Sequence, residues 1–185
     1  MDITDLSSWD TPLFPVAVAA KAAMVEPGTL RMWFQRGRIN LHQMDAAFVP
    51  AEIPGKTGMT RLLSLRTVLR LAAAAPLVRR GVDVTQAYAA AGEWTHYGAG
   101  WNGVGECPRE PAALYAAPAW TFLVHHEGPH ARVVAVEHTN GLAFDFADLF
   151  PAEHPAPVAP AIVLLNKVDQ IARGVCGAYL QSAGA

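Results

Sequence analysis

Apolar residues in the first half of the chain recur at the three- and four-residue spacing of helices, and the breaks between them fall on proline and glycine. The segment "FPVAVAAKAAMVEPGTLRMWFQRGRI" opens with alanine-rich helix formers, breaks at "VEPG", and resumes with Leu30, Trp33 and Phe34 at helical spacing before Gly37. The pattern predicts helix, turn, helix. Pro27 suits the first turn of the second helix, where a missing N–H costs nothing, and Gly37 suits the position just past its end. "INL" and "RLLSL" read as two short strands bracketing "HQMDAAFVPAEIPGKTGMT", a loop too long for a tight hairpin and tipped with Pro-Gly-Lys. Ser64 then fits the N-cap of a helix with Leu65, Val68, Leu69 and Ala72 inward. Gly81 stops that helix, another short one follows, and Pro76 should kink or end the first of the pair early.

The second half changes period. "AWTFLVHHEG", "HARVVAVEH" and "LAFDF" alternate apolar with polar residues and are separated by "EGPH" and "TNG", which predicts an antiparallel meander of three strands. Asn140-Gly141 is the stronger turn signal. The proline-rich "FPAEHPAPVAP" crosses to a final strand, "AIVLL", and an amphipathic helix over residues 167–180. The expected organisation is a tail over residues 1–13, a mostly α module over 14–93, a linker over 94–117 rich in glycine and proline, and a small α+β module over 118–185.

Charge adds a division that hydropathy does not show. Residues 16–81 carry ten Lys or Arg against Glu26, Asp45 and Glu52, a net +7, while residues 82–185 carry four against ten, a net −6. A basic module joined to an acidic one points the first toward a polyanion. No apolar run reaches the roughly 18 to 20 residues of a membrane span, and "MDITDLSSWD" is acidic where a signal peptide would be basic then apolar. The expectation is a cytoplasmic protein that does not engage a membrane. Cys107 and Cys176 are far apart and show no metal-binding spacing, so they read as buried thiols.

At "EPGTLRMWFQRGRI", "PGKTGMTRLLSLRTVLRL" and "LVRRGVDVTQAYAAA" the chain resembles the MerR-like winged helix-turn-helix DNA-binding domains, over roughly residues 14–92. The resemblance implies a mostly α winged helix-turn-helix domain whose second helix enters the major groove and whose wing approaches the neighbouring groove. It implies that Thr29, Arg31 and Trp33 lie near phosphates or base edges. Arg36 and Arg38 close the same helix and are expected to bind DNA with it, and Lys56 and Arg61 belong to the wing, where they can neutralise phosphates. Two departures stand out: Met32 and Trp33 replace the family's paired tyrosines, and "EWTHYGAGWNGVGECPREP" replaces its long dimerising helix.

Two matches point elsewhere. "PGKTG" holds a Gly-Lys-Thr, and "AIVLLNKVDQIA" runs a strand into Asn-Lys-x-Asp, the arrangement that reads guanine in GTPases. A phosphate loop needs a glycine where Pro50 stands, Pro54 lacks an N–H beside Gly55, and the chain holds no Asp-x-x-Gly. Asn166 is therefore expected to cap the final helix, with Asp169 at its third position. His125, His126, His130 and His138 gather on one hairpin, but adjacent strand residues point to opposite faces, so no metal site is expected. Trp94, Tyr97, Trp101 and Trp120 are expected to pack at the module junction, with a ligand pocket as the other reading. With no nucleophile, carboxylate pair or cofactor loop evident, the sequence reads as a non-enzyme without cofactor. It is expected to bind double-stranded DNA as a transcriptional regulator and to form a homodimer through the C-terminal half, which could also meet a protein partner. A regulator with a small-molecule effector site in that half is the alternative, and a degenerate GTPase is the enzyme-class rival.

Overall fold

The computed structural model describes residues 9–41, 46–50, 59–98, 109–137 and 160–183. These residues form five helices and two small antiparallel sheets, a mixed α/β chain whose N-terminal region is helical. Among them no helix is long and apolar enough to cross a membrane.

The expected helix pair is present as α1 (Val16–Ala22) and α2 (Pro27–Gln35). Pro27 occupies the first turn of α2, and Gly37, at φ +64°, closes it. The Gly37 N–H donates to the Phe34 carbonyl at 3.2 Å and the Arg38 N–H to the Trp33 carbonyl at 2.9 Å, so the last carbonyls of the helix are satisfied by a residue that enters the left-handed region at no steric cost. The end of α1 has the same bonding, from Met24 to Lys21 at 3.1 Å and from Val25 to Ala20 at 2.9 Å, but there a methionine takes φ +52°.

The first sheet comprises β1 (Phe14–Pro15), β2 (Ala46–Pro50) and β3 (Met59–Leu63), in the order β1-β3-β2. The strand expected at residues 39–41 is displaced. Ala46 pairs with Leu63 and Pro50 with Met59, so the connection shortens to residues 51–58. Residues 39–41 instead leave α2 as an irregular segment, in which Ile39 is buried and the Arg38 carbonyl accepts from the Thr85 hydroxyl at 3.0 Å. Three residues that read apolar, polar, apolar do not distinguish a strand from a buried connection.

Ser64 caps α3 (Leu65–Arg79), its hydroxyl accepting from the Thr67 N–H at 3.2 Å. The helix continues through Pro76, so of the two expectations there, a kink or an early end, the early end does not occur. Ala72, Ala73, Ala74, Ala75 and Leu77 are all buried around the proline, and burying Leu77 alone is worth about 2 kcal/mol or more, against roughly 3 kcal/mol for an interior proline. The stretch of small residues lets α3 lie closely along α4 (Val84–Thr95), which presents Ala87, Ala90 and Ala91.

The second sheet holds β4 (Ala119–His125), β5 (Ala131–Glu137) and β6 (Ala161–Leu164) in the order β5-β4-β6, all antiparallel. The β4–β5 hairpin is the expected one. The expected third strand "LAFDF" and the Asn140-Gly141 turn lie outside the described residues, and β6 pairs with the other edge of β4. From β6 the chain passes without a break into α5 (Leu165–Ala183). Here the capping account of Asn166 fails: Asn166 lies inside the first turn of α5, and its Oδ1 accepts from the Thr121 N–H of β4 at 2.7 Å.

One apolar cluster joins the halves. Val168, Ala172 and Cys176 of α5, Val163 of β6 and Leu123 of β4 share it with Ala19 and Ala20 of α1, Leu30 of α2, and Leu69 and Leu71 of α3. The apolar stripe of α5 is thus consumed within the chain, leaving Lys167, Gln170, Gly174 and Ala178 exposed before its last turn. Arg109, only 4 % exposed, lies within the stretch expected to be a linker. Its guanidinium donates to the carbonyls of Glu93, Trp94 and Tyr97 and so closes the C-terminal end of α4.

Candidate nucleic-acid interface

Helix α2 is seated by one side and open on the other. Leu30 is fully buried, while Trp33 and Phe34 are half-buried against the core. Gly28, Thr29, Arg31, Met32, Gln35 and Arg36 are exposed. At about 100° per residue these six span one continuous arc, with Gly28 and Met32 nearest its middle and Arg31 and Arg36 toward opposite margins. Neither arginine side chain has an ion-pair partner among the described residues.

The C-terminal end of α2 is tied to the start of α4. Arg38 Nη1 lies 3.5 Å from Asp83 Oδ2. Asp83 Oδ1 accepts from the N–H groups of Thr85 at 2.9 Å and Gln86 at 3.4 Å. The Thr85 N–H, first among these contacts, holds the Asp83 carboxyl below its ordinary range. Between the two helices runs a groove of about 500 Å³ lined by Gly28, Thr29, Met32, Trp33, Arg36, Arg38, Asp83 and Val84.

The expected site residues therefore separate. Thr29, Trp33, Arg36 and Arg38 come together around this groove, Trp33 half-buried in its wall and Arg38 engaged with Asp83. Arg31 faces solvent on the other margin of α2. Arg61, on β3, lies with its guanidinium 4.9 Å from the Phe34 ring centroid, bracing the strand pair against α2. Lys56 lies outside the described residues. The residues that sequence reasoning passed over are Asp83 and Thr85: "DVTQ" carries a capping signature, but that it meets Arg38 across 45 positions is not a local signal. Part of the basic excess of residues 16–81 is also used internally. Arg66 grips Asp10 at 2.6 and 3.1 Å and the Thr95 carbonyl at 2.6 Å, and Arg70 donates to the Tyr88 carbonyl at 2.7 Å while lying over its ring.

The competing constellations are placed as follows. Asp169 Oδ1 accepts from Arg173 Nε at 2.6 Å, so both guanine-reading side chains of the Asn-Lys-x-Asp match are engaged within the chain. Burial raises the Asp169 carboxyl, with Arg173 opposing. The Gly-Lys-Thr lies outside the described residues. His125 is buried with Nε2 2.8 Å from the Gly128 carbonyl, and no group of three or more metal-ligating side chains occurs among the described residues. Trp94 is fully buried, its indole N–H donating to Ala113; Tyr97 is largely exposed; Trp120 stacks at a tilt on Phe122. Trp101 is outside the described residues. Compared with protein-family models, curated proteins and solved structures, the chain matches none of them.

Proposed function

We propose that the chain is a sequence-specific DNA-binding transcriptional regulator of the winged helix-turn-helix kind, with α2 as the helix that enters the major groove. The observation that carries this reading is the exposed arc of α2. A helix with its side chains is about 10 to 12 Å across, which fits the roughly 12 Å width of the major groove, and this one turns its outer face to solvent. Two arginines frame that arc, and the β2–β3 pair beside it carries Lys56 in its connection. Phosphate contacts of this kind supply affinity and register, while base edges supply specificity.

On this reading Arg31, Arg36 and Lys56 meet phosphates or groove edges, Arg61 supports the wing, and Arg38 fixes α2 against α4. Two copies pair to read two half-sites about one helical turn apart. Selection of bound duplexes from a random pool, followed by titration across a salt series, tests the reading. Arg31→Ala is expected to weaken specific binding by about 1 to 3 kcal/mol, and Lys56→Ala to weaken all sequences alike and lower the salt slope by about one. If both variants bind DNA as the parent does, α2 and the wing are not the interface. Sedimentation of the full chain with and without the selected duplex measures the pairing.

A further inference from the structure

Resting on that reading, the middle of the α2 arc determines what kind of sequence is bound. Its margins are basic, but its centre is Gly28, Met32 and Gln35, a row at spacings of four and three residues. None of the three is demanded by the fold. Met32 is an exposed large hydrophobic residue, 41 % accessible, on a helix whose apolar needs are met by Leu30, Trp33 and Phe34. Gln35 is exposed in the last turn. A Cβ built on Gly28 meets nothing within 4 Å, so nothing inside the chain requires a glycine in the first turn of this helix.

We infer that this row reads A·T base pairs in the major groove: Met32 against thymine C5-methyl groups, Gln35 on an adenine, and Gly28 as the bare backbone that lets the helix approach closely. Thymine is the one base that offers a methyl group there, and a glutamine amide matches the N6 donor and N7 acceptor of adenine. Met32 and Gln35 are three apart, which puts their Cβ atoms about 5 to 6 Å from each other, within reach of one base pair or two successive pairs. An apolar residue between two arginines is poorly suited to a phosphate and well suited to a methyl group on the groove floor. The flanking Arg31 and Arg36 favour a polyanion over an apolar protein surface as the occupant.

The test uses the full chain and duplexes selected from a random pool. Affinity is measured by fluorescence anisotropy for the selected duplex, for versions with each thymine replaced by uracil in turn, and for versions with each adenine replaced by 7-deazaadenine. Removing one contacted methyl is expected to weaken the parent about fourfold, the value of one methyl-sized apolar group taken from water. The same uracil duplexes are expected to bind Met32→Ala as tightly as their thymine parent does. A 7-deazaadenine that weakens the parent is expected to leave Gln35→Ala unaffected. Gly28→Ala is expected to melt no lower than the parent yet bind the selected duplex less tightly. A selected duplex insensitive to every uracil and 7-deazaadenine substitution overturns the inference while leaving DNA binding intact. So does a Met32→Ala variant that still senses the methyl. Failure to select any duplex, with binding indifferent to Arg31→Ala and Arg36→Ala, overturns this inference together with the reading it rests on.

Discussion

Replacing Arg109 by methionine keeps the apolar stem and removes the fork that closes α4. Its guanidinium reaches five carbonyls, those of Tyr97 at 2.7 Å, Trp94 at 3.0 Å, Glu110 at 3.1 Å, Glu93 at 3.3 Å and Ala113 at 3.4 Å. Three of these keep a second donor after the change: Trp94 from the Ala112 N–H, Glu110 from the Ala113 N–H, and Ala113 from the Trp94 indole. The carbonyls of Glu93 and Tyr97 lose the guanidinium and keep no other donor among the described residues. An orphaned acceptor costs about 1 to 3 kcal/mol when buried; Glu93 is half-buried and Tyr97 largely exposed, so water replaces part of the guanidinium and the pair costs at most roughly 2 to 6 kcal/mol. Methionine also releases the burial of a cation, which holds the Arg109 pKa below its ordinary value, and this brings the expected loss to the lower part of that range, about 2 to 4 kcal/mol. Urea unfolding at neutral pH measures it, and the melting temperature should fall by roughly 4 to 16 °C. Arg109→Lys, with one nitrogen in place of the fork, should fall between the two. A methionine variant within about 1 kcal/mol of the parent would mean that these carbonyls do not depend on the guanidinium.

Three further changes follow from single features. Met24→Gly relieves an L-residue held at φ +52° in the turn before α2; the relief of about 1 to 2 kcal/mol exceeds the roughly 0.4 to 1 kcal/mol that glycine adds to the unfolded chain's entropy, so the variant should be more stable in urea, and a loss would refute the strain. The hydrogen bond from Arg66 holds the Asp10 carboxyl below its ordinary value. Its stabilising contribution is therefore present above the unfolded carboxyl pKa near 4 and lost as pH falls through the folded value; Asp10→Asn should flatten the acid limb of stability against pH, and an unchanged limb would exclude the pair as its source. Burial pushes the Cys176 thiol up to about 12, so iodoacetamide should modify the peptide containing it only as fast as the protein unfolds; labelling at the rate of an open thiol would contradict its place in the core.

Much of the helical architecture could be read from the sequence, because the features that set it are local. Pro27 and Gly37 bound α2, Ser64 starts α3, Gly81 ends it, and the apolar spacing of Leu65, Val68, Leu69 and Ala72 marks the buried face. Each is a property of a few neighbouring residues and survives any packing. What the sequence left open was decided by partners distant along the chain. Pro76 remains inside a helix because the residues around it are buried in the apolar cluster that α3 shares with α4 and α5. The strand pair next to α2 takes its register from Leu63, which pairs with both Phe14 and Ala46. Asn166 faces β4 instead of capping α5, because β6 runs directly into the helix and brings the Thr121 N–H within 2.7 Å. At the candidate interface, sequence supplied the residue types, but only tertiary packing sorted them. Leu30 had to turn inward before Met32 and Gln35 could come to the middle of an exposed face with Arg31 and Arg36 at its margins. Arg38 had to meet Asp83, and Arg61 to lie over Phe34, before two of the basic side chains became braces for the helix. Burial and ion pairing depend on which elements meet, and that depends on the whole chain at once.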